Sequence, residues 1–99
     1  MTAPTGWTFL SNHAHVLICI AQEPSHRLCD LAEGVRVTPR VLQRIVGDLV
    51  DAGYLSRVRE GRRNRYDVHM ELPLRHPIDA HCSVGEMLAL ILKPKHPPG

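Results

Sequence analysis

The chain has 99 residues, 43% of them hydrophobic and 22% charged, and a formal net charge of +2. This length fits one domain, and the apolar content is too high for a disordered chain. The small net charge does not by itself indicate a nucleic-acid partner, and no apolar run approaches the roughly 20 residues that cross a bilayer, so we expect no membrane partner.

The first part of the chain predicts an arm followed by a helix. Residues 1–10 are expected to be an N-terminal arm, and a folded unit is expected to span residues 11–70. Ser11 can cap a helix that ends near Ala21, because a serine oxygen accepts hydrogen bonds from free N–H groups in the first turn. Pro24 and Ser25 then break this helix.

Two short helices joined by a tight turn come next. An apolar stripe predicts the first helix, which Gly34 is expected to stop; its residues are Leu28, Leu31, Ala32 and Val35. Thr38 followed by Pro39 is typical of a helix start, since threonine caps and proline suits the first helical position. The second helix is predicted from Thr38 to Ala52, with a left-handed cap at Gly53. Two helices separated by so short a turn form a helix-turn-helix pattern.

The second of these helices has one apolar and one basic face. Residues at helical spacing predict the core face: Val41, Ile45, Leu49 and Ala52, with Leu42 beside them. The opposite face is predicted to carry Arg40, Gln43, Arg44 and Gly47. Arginine and glutamine are side chains that suit base edges and phosphates.

A basic hairpin is predicted directly after this helix. Residues 54–59 and 65–69 alternate as strands do, and the turn from Glu60 to Asn64 contains Gly61. Five arginines lie among the nine residues from Arg57 to Arg65. Residues 36–65 hold eight arginines and three acidic residues, whereas the rest of the chain holds four basic and seven acidic residues. This asymmetry predicts a positive face that attracts phosphate.

The C-terminal part predicts a connector, a helix and a tail. Within the connector, residues 71–82, the stretch from Leu72 to Pro77 is expected to be extended because its prolines resist helix formation. Ser83 and Glu86 form a capping-box pattern that opens a helix over residues 83–93, followed by a tail over 94–99. Six consecutive apolar residues cannot all face one small core, so we expect Leu88, Ile91 and Leu92 to form a homodimer interface. The alternative is that this helix packs on the first helix within the monomer.

The order of elements in residues 27–66 resembles a winged helix-turn-helix and is similar to the MarR- and ArsR-like classes of bacterial regulators. The resemblance implies a mostly helical α+β fold, with a two-stranded hairpin wing and a C-terminal helix. It implies a cytoplasmic transcriptional regulator, not an enzyme, that binds specific double-stranded DNA sequences as a homodimer. The expected DNA-binding residues are Arg36, Thr38, Arg40, Gln43, Arg44, Arg62, Arg63, Asn64 and Arg65.

Two alternatives remain open at the level of sequence. The first is a winged helix that binds an acidic protein partner through its basic face. The second is a repressor that responds to a metal or to redox state, for which Cys82 beside His81 is the best thiol candidate. The chain contains no CxxC, HxxxH or HExxH motif, so we expect no metal and no cofactor. The identity of any small-molecule effector does not follow from the sequence.

Overall fold

The computed structural model describes residues 6–24 and 27–92. Six elements follow one another along the chain: α1 (Asn12–Gln22), α2 (Leu28–Val35), α3 (Pro39–Asp51), β1 (Leu55–Glu60), β2 (Arg63–Val68) and α4 (Val84–Leu92). The expectations for residues 1–5, for Ser25, for Lys93 and for the tail 94–99 lie outside the described residues.

One hydrophobic core receives side chains from all six elements. The helices α1, α2 and α3 pack on one another, the hairpin packs on α1 and α3, and α4 packs on α1. The buried apolar residues are Val16, Leu17, Ile20, Leu31, Ala32, Val35, Leu42, Ile45, Val46, Leu49, Leu55, Tyr66, Val84 and Leu88. Three packed helices followed by a hairpin and a further helix form a winged helix-turn-helix, so the predicted fold class is confirmed.

Local capping fixes where α1 and α4 begin. The Ser11 hydroxyl accepts a hydrogen bond from the Ala14 N–H at 3.2 Å, and the Ser83 hydroxyl accepts one from the Glu86 N–H at 3.1 Å. The Glu86 carboxylate in turn accepts from the Ser83 N–H at 3.0 Å, which completes the predicted capping box. These bonds satisfy N–H groups that have no partner within the helix.

The end of α2 differs from the prediction. Gly34 lies inside the helix, and Arg36 takes the left-handed conformation, with φ of 66° and ψ of 47°. The Arg36 N–H donates to the Glu33 carbonyl at 3.3 Å, and the Val37 N–H donates to the Ala32 carbonyl at 3.0 Å. This pair of bonds is a Schellman motif, and it places Arg36 at the position that glycine usually occupies.

The same motif ends α3, here with the predicted glycine. Gly53 has φ of 88°, its N–H donates to the Val50 carbonyl at 3.0 Å, and the Tyr54 N–H donates to the Leu49 carbonyl at 2.9 Å. The predicted C-cap of the basic-faced helix is therefore confirmed. The chain turns there from α3 directly into β1.

The hairpin is tighter than the sequence predicted. Its strands are antiparallel, and Glu60 pairs with Arg63, so only Gly61 and Arg62 form the loop. Gly61 has φ of 61°, which glycine adopts without the penalty that a Cβ atom would bring. Asn64, which was expected in the turn, instead lies in β2 opposite Arg59.

The connector folds back on itself, which corrects the expectation of an extended segment. The Leu74 N–H donates to the Cys82 carbonyl at 2.9 Å, and the Val84 N–H donates to the Leu72 carbonyl at 2.8 Å. The Gly85 N–H donates to the Met70 carbonyl at 2.8 Å, and a Cβ atom on Gly85 would lie 3.1 Å from that oxygen. Proline prevents helix here, but tertiary hydrogen bonds close the segment into a loop.

Helix α4 divides its apolar side chains between the core and the surface. Leu88 is 1% exposed, whereas Leu90 is 64% and Ile91 is 44% exposed. Leu92 is partly buried against the core. Leu88 is thus covered by its own chain and cannot contact a second copy, which corrects its assignment to a dimer interface. Within residues 6–24 and 27–92, no helix combines the length and apolar content needed to cross a membrane.

Candidate nucleic-acid interface

The core stripe of α3 has a different register from the predicted one. The buried residues are Leu42, Ile45, Val46 and Leu49, whereas Val41 is 41% exposed and Ala52 is also exposed. Four residues turn a helix by about 400°, so Val41 lies about 40° from Ile45, on the side away from Leu42 and Leu49. Ala52 follows the last helical residue, Asp51, and caps the helix. Ile45, Val46 and Leu49 follow Leu42 by three, four and seven residues, and this spacing keeps all four on one face of the helix.

The start of α3 is held in place by its own cap. The Thr38 hydroxyl oxygen accepts a hydrogen bond from the Val41 N–H at 3.2 Å, and Pro39 occupies the first turn. The predicted Thr38–Pro39 helix start is confirmed. Both Thr38 and Arg36, which precedes it in the turn from α2, are exposed. The cap therefore fixes the backbone of the first turn of α3, from which the exposed side chains project.

The predicted basic face of α3 is exposed, with its guanidinium groups unpaired. Arg40, Gln43 and Arg44 are all exposed, and neither arginine forms an ion pair within the described residues. Asp48 is four residues after Arg44, a spacing at which an ion pair can form along a helix. Its carboxylate instead lies 3.0 Å from Nε2 of His13 on α1. Arg44 is thus left available for another partner.

Charge is distributed unevenly along α3. Arg40 and Arg44 lie in its first half, whereas the acidic residues Asp48 and Asp51 lie in its second half. The N-terminal end of a helix also carries the positive end of the helix dipole. An anionic partner is therefore attracted to the first two turns of α3 and repelled by the last.

The arginines of the wing differ in their partners. Arg57 lies over the Tyr66 ring at 5.8 Å, and Nε of Arg59 donates to the Gly61 carbonyl at 3.2 Å. Arg62 and Arg63 are exposed, and neither has an ion-pair partner in residues 6–24 and 27–92. Two of the five arginines are thus free at the tip of the hairpin.

Arg65 does not present a free charge, although it was expected to contact DNA. One of its terminal nitrogens lies 2.6 Å from the Glu60 carboxylate, and its Nε lies 3.3 Å from the Asp67 carboxylate. That Nε is buried and is not aligned for a hydrogen bond. Two carboxylates therefore neutralise this guanidinium within the hairpin.

The predicted site residues form two groups. The first group surrounds the start of α3, and its members are Arg36, Thr38, Arg40, Gln43 and Arg44. The second group is on the hairpin, and its members are Arg62, Arg63, Asn64 and Arg65. The sequence prediction missed Val41, which it placed in the core. Starting the apolar template at Leu42 would have shown that Val41 lies outside the stripe.

Cysteine and histidine residues do not converge in the described part of the chain. No group of three or more metal-binding side chains is found in residues 6–24 and 27–92. Cys19 is partly buried, and this burial raises the pKa of its thiol, which disfavours the reactive thiolate. Cys29 is exposed, and Cys82 is partly buried on the connector.

An open cleft of about 910 Å³ lies away from the start of α3. The segment before α1, the connector and α4 contribute to its walls through Phe9, Arg75 and Met87. From α3 it takes Asp48 and Asp51, which belong to the acidic half of that helix. The cleft is therefore separate from the basic surface at the other end of α3.

No protein-family model matches the chain, and no curated protein matches it either. Among solved structures, the chain is similar to the zinc-dependent MarR family transcriptional regulator AdcR in its Zn(II)-bound state. The two share 19% sequence identity with a TM-score of 0.48, over 70% of this chain and 49% of that one. The chain thus spans about half the length of that protein. The class defined by the chain's own fold is the winged helix-turn-helix.

Proposed function

We propose that this chain binds double-stranded DNA in a sequence-specific manner and regulates transcription. The first half of α3 enters the major groove, where Arg40, Gln43 and Arg44 contact base edges. The turn residues Arg36 and Thr38 and the wing residues Arg62, Arg63 and Asn64 contact the backbone or the adjacent minor groove. Arg65 supports the wing through its two carboxylate partners.

The observation that carries this proposal is the unpaired charge on α3. Arg40 and Arg44 are exposed on a helix whose start is rigidly capped, and the nearest suitable acid of their own helix, Asp48, is held by His13. Arginine forms bidentate hydrogen bonds with the major-groove edge of guanine and also binds phosphate. The first half of α3 and the tip of the β-hairpin both carry free arginines, and they match the two contact points of a winged helix on a duplex.

Two experiments test the proposal. The first selects preferred sequences from a random duplex library, and the second measures binding to them by fluorescence anisotropy over a range of salt concentrations. We expect enrichment of a defined sequence and a linear fall of log affinity with log salt concentration, because phosphate contacts release counterions. Failure to enrich any sequence, together with salt-dependent binding to an acidic polypeptide, would favour the protein-interaction alternative.

We also propose that the chain acts as a homodimer whose interface includes the exposed side of α4. Leu90 and Ile91 remain exposed after α4 has packed on α1. Burying a leucine or isoleucine side chain stabilises an assembly by roughly 1.5–3 kcal/mol. A two-fold dimer would place two copies of α3 on one face of the duplex, in successive major grooves.

A further inference from the structure

Val41 is an apolar side chain among the arginines of the proposed DNA-reading surface. It lies in the first turn of α3, directly after Arg40 and three residues before Arg44, and it is 41% exposed. Residues three apart on a helix are neighbours on its surface. An exposed apolar group therefore lies beside two unpaired cations at the N-terminal end of α3, the end that the proposed function places in the major groove.

The core gives no reason for a valine at this position. Leu42, Ile45, Val46 and Leu49 already fill the core from α3. Valine is also a poorer helix former than alanine, because its branched side chain loses rotamer freedom against the preceding turn. Neither helix propensity nor burial thus favours valine over alanine here.

The geometry of Val41 suits recognition of a small apolar group. Its backbone N–H is held by the Thr38 hydroxyl at 3.2 Å, so the position of its Cβ atom is fixed. A branched side chain in a helix has one strongly preferred rotamer, which also fixes its two methyl groups. Little conformational freedom is lost when such a side chain meets a partner.

Only one apolar group projects into the major groove from an unmodified base pair, and it is the C5-methyl group of thymine. We propose that Val41 reads a thymine methyl group in the preferred DNA sequence, next to the bases that Arg40 and Arg44 contact. This inference rests on the proposed function and adds a specificity-determining residue to it. Arginine recognises hydrogen-bond acceptors on base edges. Val41 recognises the apolar methyl group of thymine, with which an arginine forms no hydrogen bond.

The test removes the proposed contact from the DNA, by replacing thymine, or from the protein, by replacing Val41. Each thymine of the selected duplex is replaced singly by deoxyuridine, which lacks the C5-methyl group but keeps its hydrogen-bonding groups. For the wild type, we expect affinity to fall about four-fold at one position, the effect of burying one methylene-sized group. For Val41→Ala, we expect the same replacement to change affinity less than two-fold.

Two controls keep the outcomes distinct. Ile78 is 76% exposed on the connector, so Ile78→Ala should retain the wild-type response to deoxyuridine. Val41→Ala should melt at the same temperature as the wild type or slightly higher, because alanine is the better helix former. Equal responses of wild type and Val41→Ala at every thymine would overturn the thymine reading while leaving DNA binding intact. A wild type that binds no duplex would overturn the proposed function itself.

Discussion

Arg36 combines an unfavourable backbone conformation with a position beside the proposed interface. A residue other than glycine in the left-handed region carries a cost of roughly 1–2 kcal/mol, because its Cβ atom approaches a carbonyl oxygen. Arg36 has φ of 66° and ends α2 where glycine would relieve this cost. The stability of the turn thus does not favour arginine at this position, and we propose that its guanidinium contacts a phosphate.

Replacing Arg36 separates its conformational cost from its charge. We expect Arg36→Gly to raise the free energy of unfolding by about 0.5–1 kcal/mol, since glycine adopts positive φ but has more freedom to lose on folding. We expect Arg36→Ala to bring no such gain, because it keeps the Cβ atom. Both variants should weaken DNA binding equally, as measured by anisotropy beside thermal melts. An Arg36→Gly variant with wild-type affinity would exclude a phosphate contact.

The arginines of α3 provide the most direct test of base recognition. We expect Arg40→Ala or Arg44→Ala to weaken binding by about 1–3 kcal/mol and to relax preference at one base pair. Arg75→Ala is the matched control, because Arg75 is also exposed but lies on the connector. Repeating the duplex selection with each variant measures both effects. If both α3 variants bind as the wild type does, this helix is not the reading element.

The number of arginines in the wing overstates the positive charge that is free to bind another molecule. Arg57 packs over an aromatic ring, Arg59 donates to the turn carbonyl, and Arg65 is held by two carboxylates. A surface ion pair contributes only about 0–1 kcal/mol to stability, but it also removes the cation from other partners. The hairpin therefore offers Arg62 and Arg63 at its tip.

This difference predicts unequal effects of two wing substitutions. Arg62→Ala should weaken binding to all sequences alike and lower the slope of log affinity against log salt by about one unit, because one phosphate contact is lost. Arg65→Ala should change that slope less, because its guanidinium already faces Glu60 and Asp67. Titrations at several salt concentrations measure the slopes. A changed base preference for Arg62→Ala at an unchanged slope would contradict a backbone role.

Helix α4 has one side that packs in the core of the molecule and one side that is exposed to solvent. Its inner side closes the core through Val84 and Leu88, which are 0% and 1% exposed. Its outer side leaves Leu90 and Ile91 in contact with solvent. Substitutions on the two sides should therefore affect stability and assembly separately.

Two leucines of α4 test this separation. We expect Leu90→Glu to convert a dimer into a folded monomer at micromolar concentration, because a charge would enter the interface. We expect Leu88→Ala to lower the free energy of unfolding by about 2–5 kcal/mol, since it leaves a cavity in the core. Sedimentation measures the first effect, and denaturant titration measures the second. A wild type that sediments as a monomer would rule out the dimer.

Much of the fold and part of the site were determined by the sequence itself. The helix starts at Ser11, Thr38 and Ser83 and the helix end at Gly53 depend on residues within a few positions of each other. Capping bonds join residues that are already close in the chain, so the sequence pattern of the capping residues predicts the helix ends directly. The clustering of arginines between residues 36 and 65 is likewise a property of the sequence.

The remaining features depend on contacts between distant parts of the chain. Asp48 leaves Arg44 unpaired because it meets His13, which is 35 residues away, and Leu88 is buried because α4 packs against α1. The exposure of Val41 follows from the direction in which α3 faces its neighbours, and the apolar pattern alone allowed more than one register. Tertiary packing thus decided which side of each amphipathic helix became core and which charges stayed free. Burial and ion pairing are set by the groups that meet in three dimensions, whereas capping is set by neighbours in the chain.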